Sequence, residues 1–207
     1  MRVIAATRSH AKLPELCEVL VPLGYDVVNL AHAGVAEHAD EEGLEQFETF
    51  EENALAKARY FHARLGHSAP GVAVIADDSG LVVPALGGQP GVRSKRWSQR
   101  DDLSGHALDA ANNEKLLAAL AGIADRRAYF VSAVAFRSAD RELVVRGEVA
   151  GELLREARGV GGFGYDPYFF APELGKTLAE ASSSEKGRVS HRGRALRRLV
   201  AELSYGH

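Results

Sequence analysis

The sequence predicts an α/β fold in which helices flank a mixed β-sheet, and two observations predict it. The first part of the chain alternates short β-branched runs with amphipathic segments, as βαβ units do. Farther on, residues 128–137 and 142–149 read as two strands of a hairpin around Ser138-Ala139-Asp140-Arg141. Because βαβ units give parallel pairs and a hairpin gives an antiparallel pair, the sheet should contain both kinds.

The remaining strands are short. Residues 2–6 form a β-branched run, and residues 25–30 follow Gly24, which is placed to end the helix before it. Residues 72–76 are an apolar run that predicts a buried strand, and the sequence Asp77-Asp78-Ser79-Gly80 after it predicts that this strand ends there.

Four helices are predicted from apolar residues at helical spacing. They cover residues 12–20, a segment that begins at the capping-box sequence Thr49-x-x-Glu52, residues 108–120 and residues 193–203. In the first of them Leu13, Leu16, Cys17 and Leu20 share one face. No internal repeat or linker divides the chain, so we predict a single domain over residues 1–207.

Composition excludes several classes of protein. The chain is 46 % apolar and 26 % charged, which is typical of a globular protein, and its net charge of −3 argues against a nucleic-acid binder or a basic membrane anchor. A single cysteine excludes an intrachain disulfide framework. No apolar run is long enough to span a bilayer, and the first residues are too short a run for a signal peptide. We therefore expect a cytoplasmic protein.

Two segments carry the residue types that bind phosphate and metal ions. Thr7 to Lys12 lie where a strand meets a helix N-terminus, which attracts phosphate, although on this segment alone a simple helix cap with solvated Arg8 and Lys12 is favoured. Asp77 and Asp78 follow an apolar strand, where ligands gather in α/β sheets and where Mg²⁺ takes one or two carboxylates. Neighbouring strand residues point to opposite sides, so one aspartate should face the site; a turn stabilised by an aspartate is the alternative.

Two later segments are also candidates. In residues 159–167 four glycines are interleaved with Phe163 and Tyr165, which predicts either a backbone that approaches a flat ligand or two rings that fill the core. The start of the last helix carries His191, Arg192 and Arg194. Because a helix N-terminus favours anions, this basic turn is better explained by a bound anion than by solvent alone.

Taken together, these segments resemble the inosine triphosphate pyrophosphatase family over nearly the whole chain. The resemblance rests on several short motifs that occur in the family's order. These are Ala6-Thr7 with Lys12, residues 49–58, residues 76–81, residues 86–92, Asn112-Asn113, residues 162–167, Lys176-Thr177 with Ala179-Glu180, and Glu185-Lys186 with residues 190–193.

The resemblance implies a Mg²⁺-dependent enzyme, generally a homodimer, that hydrolyses ITP, dITP or XTP to the monophosphate and pyrophosphate. It implies an elongated sheet in two lobes with the active-site cleft between them. Asp78 would be the proton acceptor and, with Glu45, a metal ligand, and Ser79 would contact the substrate. The triphosphate would be held by Thr7, Arg8, Ser9, His10, Ala11 and Lys12, and the base and the rest of the nucleotide by Phe163, Gly164, Tyr165, Asp166, Lys186, His191 and Arg192.

Three features of the sequence depart from the family pattern. Ser9 stands where the family has asparagine, Gln46-Phe47 replace Thr-Gly after the metal glutamate, and the segment after Val92 is more basic. The first two changes leave open a nucleotide-binding module that has lost turnover, and a phosphohydrolase of another substrate class is a second alternative.

Overall fold

The computed structural model describes residues 1–66 and 71–205, and its strands form one mixed sheet. The strand order is β2-β1-β3-β4-β5-β6-β7, with β1 parallel to β2 and β3, and β6 antiparallel to β5 and β7. The strands are β1 (Arg2–Ala5), β2 (Asp26–Asn29), β3 (Ala73–Val82), β4 (Arg127–Arg137), β5 (Glu142–Leu153), β6 (Phe169–Ala171) and β7 (Lys176–Thr177). The predicted α/β class with a mixed sheet is confirmed.

Five α-helices and several short 3₁₀ helices complete this part of the chain. The α-helices are α1 (Lys12–Leu20), α2 (Phe50–Gly66), α3 (Gly105–Ala119), α4 (Ser183–Val189) and α5 (His191–Ser204), and one 3₁₀ helix covers Ala39–Glu45. The predicted helix at 12–20 has the predicted bounds, and α3 and α5 begin two or three residues earlier than predicted. Helix α4, whose Ser182 and Glu185 form a capping box, was not predicted from the sequence.

The chain divides into two compact units, each with its own core. The first unit comprises residues 1–78, 132–147 and 191–207, and its core packs apolar residues of α1 and α5 against β1, β3, β4 and β5. Leu16, Leu20, Leu196 and Leu199 are fully buried there, as the helical spacing requires. The second unit comprises residues 79–131 and 148–190, and its core joins α3 to β4, β5 and β6.

The predicted end of the third strand is wrong. Strand β3 continues through Asp77 and Asp78 to Val82, whereas the sequence pattern placed its end before them. Aspartate, serine and glycine favour turns in general, but here Leu81 and Val83 beyond them are fully buried, and both carboxylates have cationic partners inside the protein. Buried apolar residues on the far side therefore keep the chain extended.

None of the helices in residues 1–66 and 71–205 combines the length and the apolar character that crossing a bilayer requires.

Candidate functional site

The first group of candidate functional side chains lies where strand β3 extends beyond the end of its neighbour, β1. Strand β1 pairs with β3 only as far as Ala5 opposite Ile75, and β3 then continues through Asp77 and Asp78. The chain after β1 turns away into the loop that starts α1. The two aspartates therefore lie at the carboxyl end of β1, the position at which ligands bind in α/β sheets.

Asp77 is held by two cations inside the first unit. Its Oδ1 forms an ion pair with Lys12 Nζ at 3.1 Å, its Oδ2 accepts from Arg192 Nε at 3.0 Å, and Arg192 also bonds to Glu15. Burial alone would raise the pKa of Asp77, but Arg192 and Lys12 hold it well below its ordinary value. The pKa of Lys12 is lowered by burial, with Asp77 opposing that shift. Asp77 is thus ionised at neutral pH and anchors both cations.

Asp78 has different partners, as expected for the next residue along a strand. Its Oδ2 accepts from Asn53 Nδ2 at 3.0 Å, and its Oδ1 lies 3.4 Å from Lys57 Nζ. Burial raises the pKa of Asp78 against the opposing influence of Lys57 and Lys12. The two neighbouring carboxylates therefore have opposite pKa shifts.

Lys57 connects Asp78 to Glu45. Its ammonium donates to Glu45 Oε1 at 2.7 Å and to the Asp77 carbonyl at 2.5 Å. Burial would lower the pKa of Lys57, but the carboxylates of Asp78, Glu45 and Asp77 raise it, so the ammonium stays charged. Glu45 ends the 3₁₀ helix over Ala39–Glu45, and this contact brings it to the same nitrogen as Asp78. The structure thus brings together the two residues predicted to bind metal.

The Gln46-Phe47 departure leaves the support of this segment intact. Asn53 accepts from the Phe47 N–H at 2.9 Å and donates to the Phe47 carbonyl at 3.2 Å. Both bonds go to the backbone, so they do not depend on which side chain stands at position 47. The same Asn53 amide also reaches Asp78. One buried asparagine therefore fixes the segment after Glu45 relative to Asp78.

We call the residues joined by these ion pairs the carboxylate–lysine cluster. It contains four carboxylates and three cations: Glu15, Glu45, Asp77 and Asp78, with Lys12, Lys57 and Arg192.

The donor set of the cluster fits a Mg²⁺ ion. In residues 1–66 and 71–205 no three His, Cys, Asp or Glu side chains are grouped as a metal cage. Mg²⁺ usually takes only one or two protein carboxylates and completes its octahedron with water and phosphate oxygens. Glu45 and Asp78, which already share one ammonium, provide two such carboxylates, and the cluster carries one more negative than positive charge.

The loop from Thr7 to Lys12 is organised by its own hydroxyls. Thr7 Oγ1 accepts from the Ser9 N–H at 3.1 Å, and Ser9 Oγ accepts from the Lys12 N–H at 3.4 Å. Ser9 therefore supports the start of α1, which is the structural role that the sequence suggested for this segment. Lys12 reaches Asp77, whereas His10 and Ala11 are exposed.

Arg8 is turned to another part of the first unit. Its guanidinium donates to Glu41 through Nε at 2.9 Å and through Nη2 at 2.8 Å, and also to the carbonyls of Val35 and Ala36. Arg64 joins the same Glu41 carboxylate at 3.0 Å. These contacts give Arg8 a structural role that needs no ligand.

The second group of predicted residues lies in the second unit, on the loop of residues 159–167. Asp166 Oδ2 accepts from the Phe163 N–H at 2.8 Å and from Lys186 Nζ at 2.6 Å. The Lys186 ammonium also lies 4.8 Å from the centre of the Phe163 ring, within the range of a cation–π contact. Phe163, Asp166 and Lys186 thus form one charged aromatic group, which we call the loop cluster.

The two aromatic residues of this loop have separate roles. Tyr165 is buried in the core, its hydroxyl donates to the Ser94 carbonyl at 2.7 Å, and burial raises its pKa. Phe163 is half-buried. Of the alternatives for the two rings, core filling therefore applies to Tyr165, and Phe163 is left as the ring that a flat ligand could contact.

The basic first turn of α5 is explained by the protein itself. Arg192 is 1 % exposed and is neutralised by Asp77 and Glu15, so the expected anion at this turn is a pair of side-chain carboxylates. His191 is buried at the first position of the same helix. Ser79, the predicted substrate contact, is half-buried and directly follows Asp78 in β3.

Asn53 and Lys57 were given no role of their own from the sequence, and Asp77 was only one of two candidate aspartates for the site. A usable signal existed for the first two: they lie four residues apart on α2, each just before an alanine of the buried stripe. Polar residues at such positions are directed towards the interior and need partners there. The anchoring role of Asp77 could not be predicted in this way because its partners, Lys12 and Arg192, are distant in sequence.

The fold and these two groups define an α/β protein with an internal carboxylate–lysine cluster at the end of β1. Residues 3–202 match the Ham1 family, and the chain therefore belongs to that family. Relatives named dITP/XTP pyrophosphatase occur in Nitrosomonas europaea and Mycolicibacterium paratuberculosis. The Nitrosomonas protein is 46 % identical to this chain, and the match covers 98 % of this chain and 94 % of the relative. The Mycolicibacterium protein is 50 % identical, and the match covers 97 % of this chain and 95 % of the relative.

Solved structures agree with the sequence comparison. The Ham1 protein of Staphylococcus aureus superposes with a TM-score of 0.81 at 35 % identity over the full length of both chains. A nucleoside-triphosphatase, dITP/XTP pyrophosphatase, from Mycobacterium abscessus has a TM-score of 0.69 at 42 % identity and covers 97 % of this chain and 99 % of its own. The recognised family and the predicted fold are both confirmed.

Proposed function

We propose that the chain is a nucleoside triphosphate pyrophosphatase that hydrolyses dITP, XTP and ITP to the monophosphate and pyrophosphate, and so removes unusual purine nucleotides from the pool. The names of its close relatives support the substrate class. The observation that carries the proposal is the shared contact of Glu45 and Asp78 with Lys57, inside a cluster with an excess of negative charge.

Mg²⁺ is the proposed cofactor, with Glu45 and Asp78 as its protein ligands. When bound, the ion would neutralise phosphate charge and hold the phosphates in a fixed orientation. Both carboxylates contact the Lys57 ammonium, whereas the cationic partners of the Asp77 carboxylate are Lys12 and Arg192. This division supports a two-ligand metal site.

Asp78 is the proposed proton acceptor for the attacking water. A carboxylate whose pKa is raised by burial takes a proton more readily than an ordinary surface aspartate. Asn53 donates to Asp78 Oδ2 and so keeps the Asp78 side chain in one orientation. A positioned general base typically contributes ~10²–10⁴-fold to the rate, so loss of the Asp78 carboxylate should reduce turnover severely.

The phosphates would be held by the start of α1 and the adjacent lysine. The first N–H groups of a helix and its dipole attract anions, and the N-cap residue of α1, Ala11, makes no side-chain cap bond of its own. Lys12 adds a positive charge, and its pKa is lowered by burial, so an anion near it would be favoured. The hydroxyls of Thr7 and Ser9 keep this loop folded. We propose that Arg8 acts only by fixing the loop through Glu41.

The base would be recognised by the loop cluster. Phe163 offers a ring for stacking, and the Lys186 ammonium is a donor with no acceptor capacity. A donor suits O6 of hypoxanthine or xanthine, whereas adenine places an amino group there, which is itself a donor and finds no acceptor in the ammonium. An unpaired buried donor costs about 1–3 kcal/mol, or roughly 5- to 150-fold in discrimination.

Homodimer formation and a cytoplasmic location, which the family resemblance and the composition imply, complete the proposal.

The deciding experiment measures pyrophosphate and orthophosphate released from dITP, XTP, ITP, ATP and GTP with Mg²⁺. We expect pyrophosphate as the product and a higher kcat/KM for the first three. Asp78→Asn should lower kcat by about 10²-fold or more while nucleotide still binds. Asp140→Asn, at the exposed tip of the β4–β5 hairpin in the same unit, is the matched control and should match the wild type.

Other outcomes identify the alternatives. Orthophosphate without pyrophosphate would indicate a phosphohydrolase of another kind. Nucleotide binding without turnover would indicate a binding module, the alternative raised by Ser9 and Gln46-Phe47. Undiminished turnover in Asp78→Asn would remove this residue from the mechanism.

A further inference from the structure

Helix α3 holds one residue of the glycine-rich loop by both of its backbone polar groups. Asp109 Oδ2 accepts from the Gly164 N–H at 2.9 Å, and Asn113 Nδ2 donates to the Gly164 carbonyl at 2.8 Å. Asp109 and Asn113 are four residues apart and therefore share a face of α3. Asn113 also donates to the Asp109 carbonyl at 2.9 Å, which ties the two positions together.

The geometry of Gly164 explains why it needs this support. Its φ of +62° lies in the left-handed region, where glycine has more freedom than any other residue and loses more of it on folding. The residue lies between Phe163, which belongs to the loop cluster, and Tyr165, which is fixed in the core. A change in the backbone dihedral angles of Gly164 would rotate Phe163 relative to Tyr165, whose ring is fixed in the core. The half-buried ring of Phe163 would then move.

We propose that Asp109 and Asn113 are positioning residues for nucleobase recognition, which they serve by fixing Gly164 and thereby the Phe163 ring. This role rests on the proposed function, in which that ring stacks on the purine. Purine bases differ from one another by single exocyclic groups. Discrimination between purine nucleotides is therefore more sensitive to the placement of the base than cleavage of the phosphates is. The hydrogen bonds of the two side chains go to Gly164 and to the Asp109 carbonyl, all within the second unit.

The test compares Asp109→Ala with Asp109→Asn. Alanine removes the acceptor of the Gly164 N–H, whereas asparagine keeps an oxygen in its place. We expect Asp109→Ala to raise the KM for dITP about tenfold and to lower the kcat/KM preference for dITP over dATP about tenfold, while kcat changes less than about threefold. Asp109→Asn should restore most of both values. Asn113→Asp, which turns an acceptor toward the Gly164 carbonyl, should behave like Asp109→Ala.

Glu114→Gln provides the matched control. This residue is exposed on the same helix, and its substitution should leave KM, kcat and the substrate preference unchanged. Fluorescence of Trp97, the single tryptophan of the chain, reports whether the second unit keeps its fold in each variant. Hydrogen exchange of the Gly164 amide, measured by NMR, reports the lost bond directly and should be about tenfold faster in Asp109→Ala.

The outcomes separate the two levels of the proposal. A wild-type chain that releases no pyrophosphate from dITP overturns the proposed function and, with it, the role in base recognition. An active wild type whose Asp109→Ala variant keeps its KM and preference overturns the positioning role alone. The positioning role is also overturned if kcat and kcat/KM fall equally together with the melting temperature, since that pattern shows a general loss of structure.

Discussion

The sharpest prediction concerns Lys57, the cation that Glu45 and Asp78 share. Lys57→Met keeps the length of the side chain and removes its charge and its three donors. The variant leaves the Asp77 carbonyl and the Asp78 carboxylate buried without their cation, so we expect a lower free energy of unfolding in the absence of Mg²⁺. Removing one partner from a buried ion pair is strongly destabilising, because the other charge stays behind.

The size of the loss follows from the three contacts of Lys57. Its bond to the Asp77 carbonyl, at 2.5 Å, is short and buried, and hydrogen bonds to charged groups contribute about 1.5–3 kcal/mol. The contact with Asp78 is longer, at 3.4 Å, and the Glu45 side chain is 34 % exposed, so both contribute less. We therefore expect a loss of about 3 kcal/mol, which corresponds to a fall in melting temperature of about 6–12 °C for a chain of this size.

The assay is urea unfolding followed by circular dichroism, with EDTA and with saturating MgCl₂. Arg59→Met is the matched control, because Arg59 lies on the same helix and pairs with Glu142 at the surface, with 59 % of its side chain exposed. Such a pair contributes about 0–1 kcal/mol. Mg²⁺ should stabilise Lys57→Met more than the wild type, since the ion replaces the missing positive charge. A loss in EDTA no greater than that of Arg59→Met would refute this account of the cluster.

Two further predictions concern other parts of the site. Because neighbouring cations outweigh burial and hold the pKa of Asp77 well below its ordinary value, this carboxylate stabilises the fold above about pH 4, and the contribution is lost as the pH falls below that value. Asp77→Asn should therefore flatten the acid side of a plot of unfolding free energy against pH, and an unchanged slope would contradict this. Gly162→Ala should raise the KM for dITP about tenfold, because a Cβ there collides with the Asp166 carboxylate and φ is +71°. Gly175→Ala has a similar φ of +67° but open space around it, so equal effects of the two changes on KM would exclude the collision as the cause.

Most of the fold could be predicted because local sequence determines it. Helix α1 was predicted to the residue, since Leu16 and Leu20 repeat at helical spacing and Gly24 follows. The hairpin of β4 and β5 was also predicted, although β5 continues four residues farther than expected. The end of β3 was not predicted. Residue types that favour a turn were outweighed there by burial of Leu81 and Val83 and by distant cations, which no local pattern reveals.

The site could be predicted only in part, for a physical reason of the same kind. Motifs indicated Asp78 and Lys12, and the family resemblance indicated Glu45. The partners that decide what each charge does come from distant segments: Arg192 reaches Asp77 from the last helix, and Lys57 reaches Glu45 from α2. Glycine-rich sequence likewise indicated the loop at 159–167, but its attachment to Asp109 requires the packed second unit.

The two neighbouring aspartates of β3 show how one strand separates structure from chemistry. Strand geometry directs their side chains to different sides, where Asp77 lies closest to Lys12 and Arg192 and Asp78 lies closest to Asn53 and Lys57. Asp77 has two close cations and a lowered pKa, so it remains charged and immobile, while Asp78 has one longer contact with a cation and a raised pKa. A chain that needed only stability would gain nothing from a second buried carboxylate with so little compensation, because burying an ion costs several kcal/mol. The partly compensated charge at Asp78, whose neighbour Glu45 contacts the same Lys57, is therefore the feature that the proposed divalent ion and its polyphosphate ligand would explain.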